Sequence, residues 1–170
     1  VAALDAGGNP GWLFMRAGSD ADAVFALARR EDGSLLVSGR TGDYLSPDGF
    51  VTALDSADGH ELWTTEVPGA TVASLGLSPD GTIHATGNAG YDILVLALDS
   101  SGNQLSRQTI ASTTDATSNQ GASSFGTSLS VSPSGRVLLG GFFEGTLDLG
   151  LGEPMSAQYG TDAFLVELSP

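Results

Sequence analysis

The sequence predicts an all-β fold built from repeated antiparallel sheets, and three observations predict it. One phrase occurs three times: an apolar run, a turn containing Gly, a second apolar run and a closing Gly, at 24–39 (VFALARREDGSLLVSG), 72–87 (VASLGLSPDGTIHATG) and 127–141 (TSLSVSPSGRVLLGG). A second phrase alternates with it, an apolar run ending in Leu-Asp and then a Gly turn, at 1–12 (VAALDAGGNPGW), 51–63 (VTALDSADGHELW) and 94–106 (LVLALDSSGNQLS), with a truncated copy at 162–170 (DAFLVELSP). The register is also constant. Gly33, Gly81 and Gly135 are each followed six residues later by Gly39, Gly87 and Gly141, and Asp48, Asp92 and Asp162 each precede Leu54, Leu98 and Leu168 by six. Such repetition marks stacked units, because one unit of this kind cannot bury its own apolar face.

The apolar runs are short, rich in Val, Leu, Ile, Phe and Thr, and bounded by Asp, Gly, Asn, Ser or Pro, which is the pattern of strands and not of helices. Each first phrase is a hairpin of strands a and b, whose turns Asp32-Gly33, Asp80-Gly81 and Ser134-Gly135 supply the positive φ of a tight connection. Each second phrase is a hairpin of strands c and d. Leu129 and Val131 alternate with Ser128 and Ser130, as in a strand with one face buried, whereas 93–98 is apolar throughout and suits a strand covered on both faces. The chain therefore reads c-d, a-b-c-d, a-b-c-d and a-b-c in a single domain, with repeats at about 1–23, 24–71, 72–126 and 127–170. Four-stranded sheets repeated radially are the blades of a β-propeller. About three repeats fall short of a ring of roughly four to eight blades. The expectation is a partial propeller, or one completed by assembly of copies or by a longer chain, with a β-sandwich or open β-solenoid as the alternative.

Composition narrows the function. Twenty carboxylates oppose six cations, all Arg, for a net charge of −14, a surface that repels phosphate backbones and makes nucleic acid a poor partner. The chain has no Cys, so disulfides, thiolate metal sites and Cys nucleophiles are excluded. No apolar run is long enough to span a membrane as a helix, so membrane insertion is not expected.

The phrases VTALDSADGHELWTT, LLGGFFEGTLDLG and GTDAFLVEL resemble the β-propeller repeats of secreted and cell-surface bacterial proteins, and the ALD, turn, Gly, Trp pattern is similar to the tryptophan-docking repeats of quinoprotein-type propellers. The resemblance covers nearly the whole chain. It implies a propeller fold and a secreted or cell-surface location, and it implies little about activity. Trp12 and Trp63 match the docking position, where an aromatic packs on the neighbouring blade, and Ser106 departs from it in the third copy. A quinone cofactor needs a complete ring with a cationic, aromatic pocket, so the likeness extends to the scaffold alone.

Candidate chemistry is sparse. His60 and His84 are the whole supply of near-neutral bases, neither is repeated, and no Ser-His-Asp set stands out, so no catalytic residue is assigned and a non-enzyme is expected. Asp5, Asp55 and Asp99 open the c-d turns and Asp32 and Asp80 lie in the a-b turns, where Asp bonds local backbone NH groups. A weak calcium site at Asp55, Asp58 and Glu61 is the one metal candidate, although the segment lacks the spacing of an EF-hand loop. No cofactor is expected.

Loop length supplies the main asymmetry. The a-b and c-d turns are tight in every copy, while the b-c and d-a connections vary and emerge at the opposite end of each sheet. Those longer loops carry all three tyrosines, Tyr44, Tyr91 and Tyr159, with Asp43, Asp115 and Glu153 beside them. Loops on a rigid scaffold are where binding is placed, and Tyr offers a flat apolar face with a hydroxyl. The expected function is a non-enzymatic recognition or adhesion module of a secreted or surface protein that binds a glycan or another surface protein through this face. The alternatives are a structural scaffold with no ligand and a non-catalytic fragment of a secreted hydrolase.

Overall fold

The computed structural model describes residues 1–16, 21–43, 46–113, 122–150 and 152–168. Among them there is no helix, and the strands form four antiparallel sheets in chain order. The first sheet is the hairpin β1 (Ala2–Leu4) and β2 (Pro10–Leu13). The second is β3 (Ala23–Arg29), β4 (Leu35–Thr41), β5 (Asp48–Leu54) and β6 (Glu61–Pro68), adjacent in that order. The third repeats it with β7 (Ala70–Leu77), β8 (Ile83–Ala89), β9 (Asp92–Leu98) and β10 (Gln104–Ile110). In the fourth, β13 (Val137–Leu147) lies between β12 (Ser124–Val131) and β14 (Met155–Leu168), and the short β11 (Ser112–Thr113) pairs with the far end of β13. The a-to-d strand sets expected from the two phrases are the sets that pair.

Three apolar cores lie between successive sheets. Val1, Trp12 and Phe14 of the first sheet meet Val37, Phe50 and Leu54 of the second. Leu36, Val51, Ala53 and Val67 on the other face of the second sheet meet Val72, Ile83, Ala85, Leu94, Leu96 and Leu98 of the third. Ile93 and Val95 then meet Leu139, Phe143, Phe164 and Val166 of the fourth. The period of two explains the division: in β9, Leu94, Leu96 and Leu98 face one neighbour, and Ile93 and Val95 face the other. That is why 93–98 is apolar throughout.

The paired glycines have two separate roles. Gly33, Gly81 and Gly135 have φ of 89°, 87° and 83° and donate to the carbonyls of Arg30, Ser78 and Ser132, closing the same a-b turn three times. Gly39, Gly87 and Gly141 have no positive φ. Each lies opposite a β-bulge in strand a, and a Cβ there would collide with the carbonyl oxygen of Ala23, Thr71 or Phe125. The constant six-residue offset thus joins a turn to a bulge.

The tryptophans tie sheet to sheet. The Trp12 ring lies over Gly59 in the c-d turn of the second sheet, with Nε1 donating to Ser56 O at 3.1 Å, and Trp63 lies in the same way over Gly102 of the third. Gly59 and Gly102 are buried with positive φ, so neither a side chain nor another backbone conformation is tolerated there. Ser106 holds the Trp position in the third sheet.

One sequence expectation changes. The stretch between Gly141 and Asp162 reads as a long connection, but β13 continues to Leu147 and β14 starts at Met155, so most of it is an extended hairpin. Phe143 and Leu147 are buried and Ala157 packs on the same core, which carries the alternation beyond the repeat unit.

Candidate functional site

Alternating strand direction puts the a-b and c-d turns at one end of the sheets and the b-c and d-a connections at the other. Clefts open at both ends. One of about 510 Å³ lies among three a-b turns and is lined by Leu77, Val131, Pro79 and Pro133, with Arg29 and Glu31. The alternation that sends Leu75 and Leu77 toward the second sheet places the C-terminal end of each strand a beside this cleft.

Its walls are fixed by side-chain to backbone bonds. Arg30 donates through Nη2 to Ser100 O at 2.8 Å, which links the a-b turn of the second sheet to the c-d turn of the third, and its Nη1 is 3.7 Å from Asp32. Asp32 accepts from the Ser34 hydroxyl at 2.6 Å and from Ser34 N at 2.9 Å, and these bonds, the hydroxyl first, hold its carboxyl below the ordinary range. Arg29 is exposed, and among the described residues no such bond is made by its side chain. An exposed guanidinium beside apolar side chains suits a ligand that combines an apolar face with an acceptor or a negative charge.

An adjoining cleft of about 470 Å³ is lined by Ser78, Asp80, His84 and Pro133. Ser78 Oγ and His84 Nε2 lie 2.9 Å apart, and burial lowers the His84 pKa, with Asp80 opposing, which favours the neutral imidazole. Asp80 directs Oδ1 to Thr82 N at 2.9 Å, and among the described residues no carboxylate bonds the His84 ring. The three types of a hydrolytic triad are adjacent in sequence, yet the third link is missing; sequence reading passed over the contact because His84 occurs in only one repeat.

At the opposite end, a cleft of about 220 Å³ is lined by Tyr91, Arg40, Asn88, Thr71, Ser123 and Phe125. Tyr91 is exposed, and its carbonyl accepts from the backbone of the buried Ser124 at 2.8 Å, which seats the start of β12 beside it. Tyr159 is 95% exposed at the bulge of β14 and lines none of these clefts, and Glu153 is exposed in the connection between β13 and β14. Asp43 accepts from Ser46 N at 2.7 Å and so helps to shape its own loop. Tyr44 and Asp115 lie outside the described residues.

The metal candidate is partly assembled. Asp55 and Asp58 have ligand atoms within 4.8 Å of each other and of His60, whereas Glu61 begins β6, opposite Leu54, and is not in the group. Asp55 accepts from Ala57 N at 2.7 Å, and Asp58 accepts from His60 N at 3.0 Å and pairs with its ring at 2.7 Å. Both contacts with His60, the backbone bond first, lower the Asp58 pKa, and the ring contact raises that of His60. Two carboxylates and an imidazole do not match the all-oxygen set that calcium takes. In the related turns Asn9 and Asn103 bond Asp5 and Asp99 in the place of His60, and those side-chain amides lead in lowering both carboxyl pKa values. The acidic turns are thus accounted for by backbone geometry.

The fold and these sites define an all-β chain of stacked antiparallel sheets with clefts at the strand ends. No protein-family model matches its sequence, and no curated protein matches it. No described helix is long and apolar enough to cross a membrane.

Proposed function

We propose that this chain is a non-enzymatic recognition module of a secreted or cell-surface protein, built as a set of β-propeller blades, and that its ligand is a glycan or a surface protein seated among the a-b turns. The observation that carries the reading is the 510 Å³ cleft lined by Leu77, Val131, Pro79 and Pro133 and its exposed Arg29. The volume falls within the range of small-ligand sites, roughly 300–1,000 Å³, and the lining sets Leu77, Pro79, Val131 and Pro133 beside the charged Arg29, Arg30, Glu31 and Asp32. Apolar side chains stack on the flat face of a pyranose or on a peptide side chain, and Arg29 supplies a donor for a carboxylate or hydroxyl. The blade reading rests on the repeated a-b-c-d sheets, the stacking of successive sheets and the repeated Trp–Gly contact.

A second placement is favoured by Tyr91, which lines the opposite cleft beside Arg40, Asn88 and Phe125. Capture on glycan and surface-protein arrays separates the two. Loss of capture in Arg29→Glu with retention in Tyr91→Ala supports the turn cleft, and the reverse supports the long-loop end. No capture by the wild type favours a scaffold without a ligand of its own.

A further inference from the structure

Ser78 and His84 stand at positions where the other repeats show what the scaffold itself needs. The constant offsets of the a-b hairpins make Ser78 equivalent to Arg30 and Ser132, and His84 equivalent to Leu36 and Leu138. At this position of strand b the other two repeats carry Leu, so packing does not call for an imidazole. The serine hydroxyl is not needed by its turn either. In the fourth repeat Ser132 Oγ accepts from Arg136 N at 3.0 Å and lies 3.0 Å from Ser134 Oγ, so that hydroxyl helps to close the turn. In the third repeat Asp80 takes over, its Oδ1 accepting from Thr82 N at 2.9 Å, and Ser78 Oγ lies instead 2.9 Å from His84 Nε2.

The pair is positioned and opens on one side. Ser78 N donates to Thr82 O and Ser78 O accepts from Gly81 N, both at 2.9 Å, which fixes the backbone that carries the hydroxyl. His84 is opposite Gly76 in the ladder, and a Cβ at Gly76 would meet Leu129 and Val131, so this face of the third sheet looks at the fourth. Both side chains are half-buried in the lining of the 470 Å³ cleft, with Pro79, Thr82, Pro133 and Ser134 around them. Burial favours the neutral ring, which has a lone pair to take a proton.

We propose that Ser78 is an acyl-accepting nucleophile with His84 as its base, a covalent modification site that adds a reactivity beyond ligand recognition. A hydroxyl within hydrogen-bond reach of an imidazole nitrogen is the arrangement that activates serine. Ser78 Oγ bonds to the carbonyl carbon of a small carboxylic ester while the hydroxyl proton passes to His84 Nε2. The carbon–oxygen bond to the leaving group then breaks, and the departing alkoxide takes that proton and leaves as the alcohol. In a complete triad the orienting carboxylate is worth about 10⁴-fold. Among the described residues none bonds the His84 ring, so the pair suits acceptance of one acyl group and not rapid turnover.

Reaction with p-nitrophenyl acetate, read by intact-protein and peptide mass spectrometry, tests the assignment. The chain has no Lys, so no side-chain amine competes for the probe. Wild type should gain an acetyl group at Ser78, with Ser132 as an unlabelled control in the same sample, and Ser78→Ala should not gain it. His84→Leu installs the residue found at 36 and 138, and His84→Gln keeps a hydrogen-bonding side chain that takes no proton at neutral pH. Each should label about 100-fold more slowly, and circular dichroism checks that both fold. A wild type that gains no acetyl group at Ser78 overturns the proposal, as does equal labelling of Ser78 and Ser132, and neither result depends on a variant. His84→Gln labelling at the wild-type rate overturns it as well, because the imidazole would then only hold the hydroxyl in place.

Discussion

Replacing Gly87 by Ala tests the physical basis of the repeat. A Cβ at 87 collides with Thr71 O across the bulge, and neither strand can retreat, because β8 is held by β7 on one side and β9 on the other. Relief by overpacking costs about 1–3 kcal/mol. Opening the bulge also sacrifices ladder hydrogen bonds at about 1 kcal/mol each. The stiffer unfolded chain returns about 0.4–1 kcal/mol, leaving a net loss of about 3 kcal/mol. At about 2–4 °C per kcal/mol for a chain of this size, the melting temperature falls by about 6–12 °C. Gly81→Ala is different. Its φ is 87° and its Cβ meets nothing closer than 3.8 Å, so only left-handed strain of about 1–2 kcal/mol applies, partly offset in the unfolded state. Asn tolerates that conformation, so Gly81→Asn should be milder than Gly81→Ala, whereas Gly87→Asn should be at least as damaging as Gly87→Ala. Thermal melting followed by circular dichroism measures all four. Equal losses at 81 and 87, or rescue of 87 by a residue favouring positive φ, would refute the division between turn and bulge.

Trp63→Ala should cost about 3 kcal/mol, since it removes an aromatic from the core between the second and third sheets and uncovers Gly102, and chemical denaturation reads the loss. His84 has a pKa lowered by burial, so the unfolded state binds the proton more readily. Stability should therefore fall as pH drops from about 6.5 toward the lower folded value, and should fall no further on that account below it. Exposed His60 is raised by Asp58 and acts in the opposite sense, its stabilisation being present below pH 6.5 and lost as pH rises through its folded value. His84→Leu, which introduces the residue found at the equivalent positions 36 and 138, should remove the loss between pH 7 and 5, and urea midpoints at intervals across that range check it. Asn103→Ala removes the 2.8 Å bond to Asp99 and should shift the titration of that carboxyl upward, as carbon-detected NMR would show.

The strand sets were legible because each repeat encodes its register twice, by Asp-x5-Leu and by Gly-x5-Gly, and because β9 is apolar on both faces. The docking of Trp12 and Trp63 was legible in outline, but their glycine partners are turn residues whose burial depends on the next sheet. The extension of β13 and β14 was not legible, since Gly145, Gly150, Gly152 and Gly160 read as a loop while Phe143 and Leu147 hold the pairing through a register shift. Loop length pointed to the long-loop end for binding. The clefts of about 510 and 470 Å³ lie among the short turns, because Pro79 and Pro133 and the ends of three strands converge there, and convergence between sheets has no signature within one repeat. His60 joined the acidic turn in place of Glu61 because the ladder carries Glu61 away as the first residue of β6.

The clefts among the turns depend on stacking of the sheets in chain order, and proton NMR reads that stacking directly. Gly59 and Gly102 place their Cα hydrogens against the rings of Trp12 and Trp63. Nuclear Overhauser contacts are expected between Trp12 and Gly59 and between Trp63 and Gly102, with ring-current displacement of the glycine Cα hydrogens that Trp→Leu at the matching site abolishes. Ordinary shifts at both glycines and no contact to either indole in the folded protein would contradict that stacking.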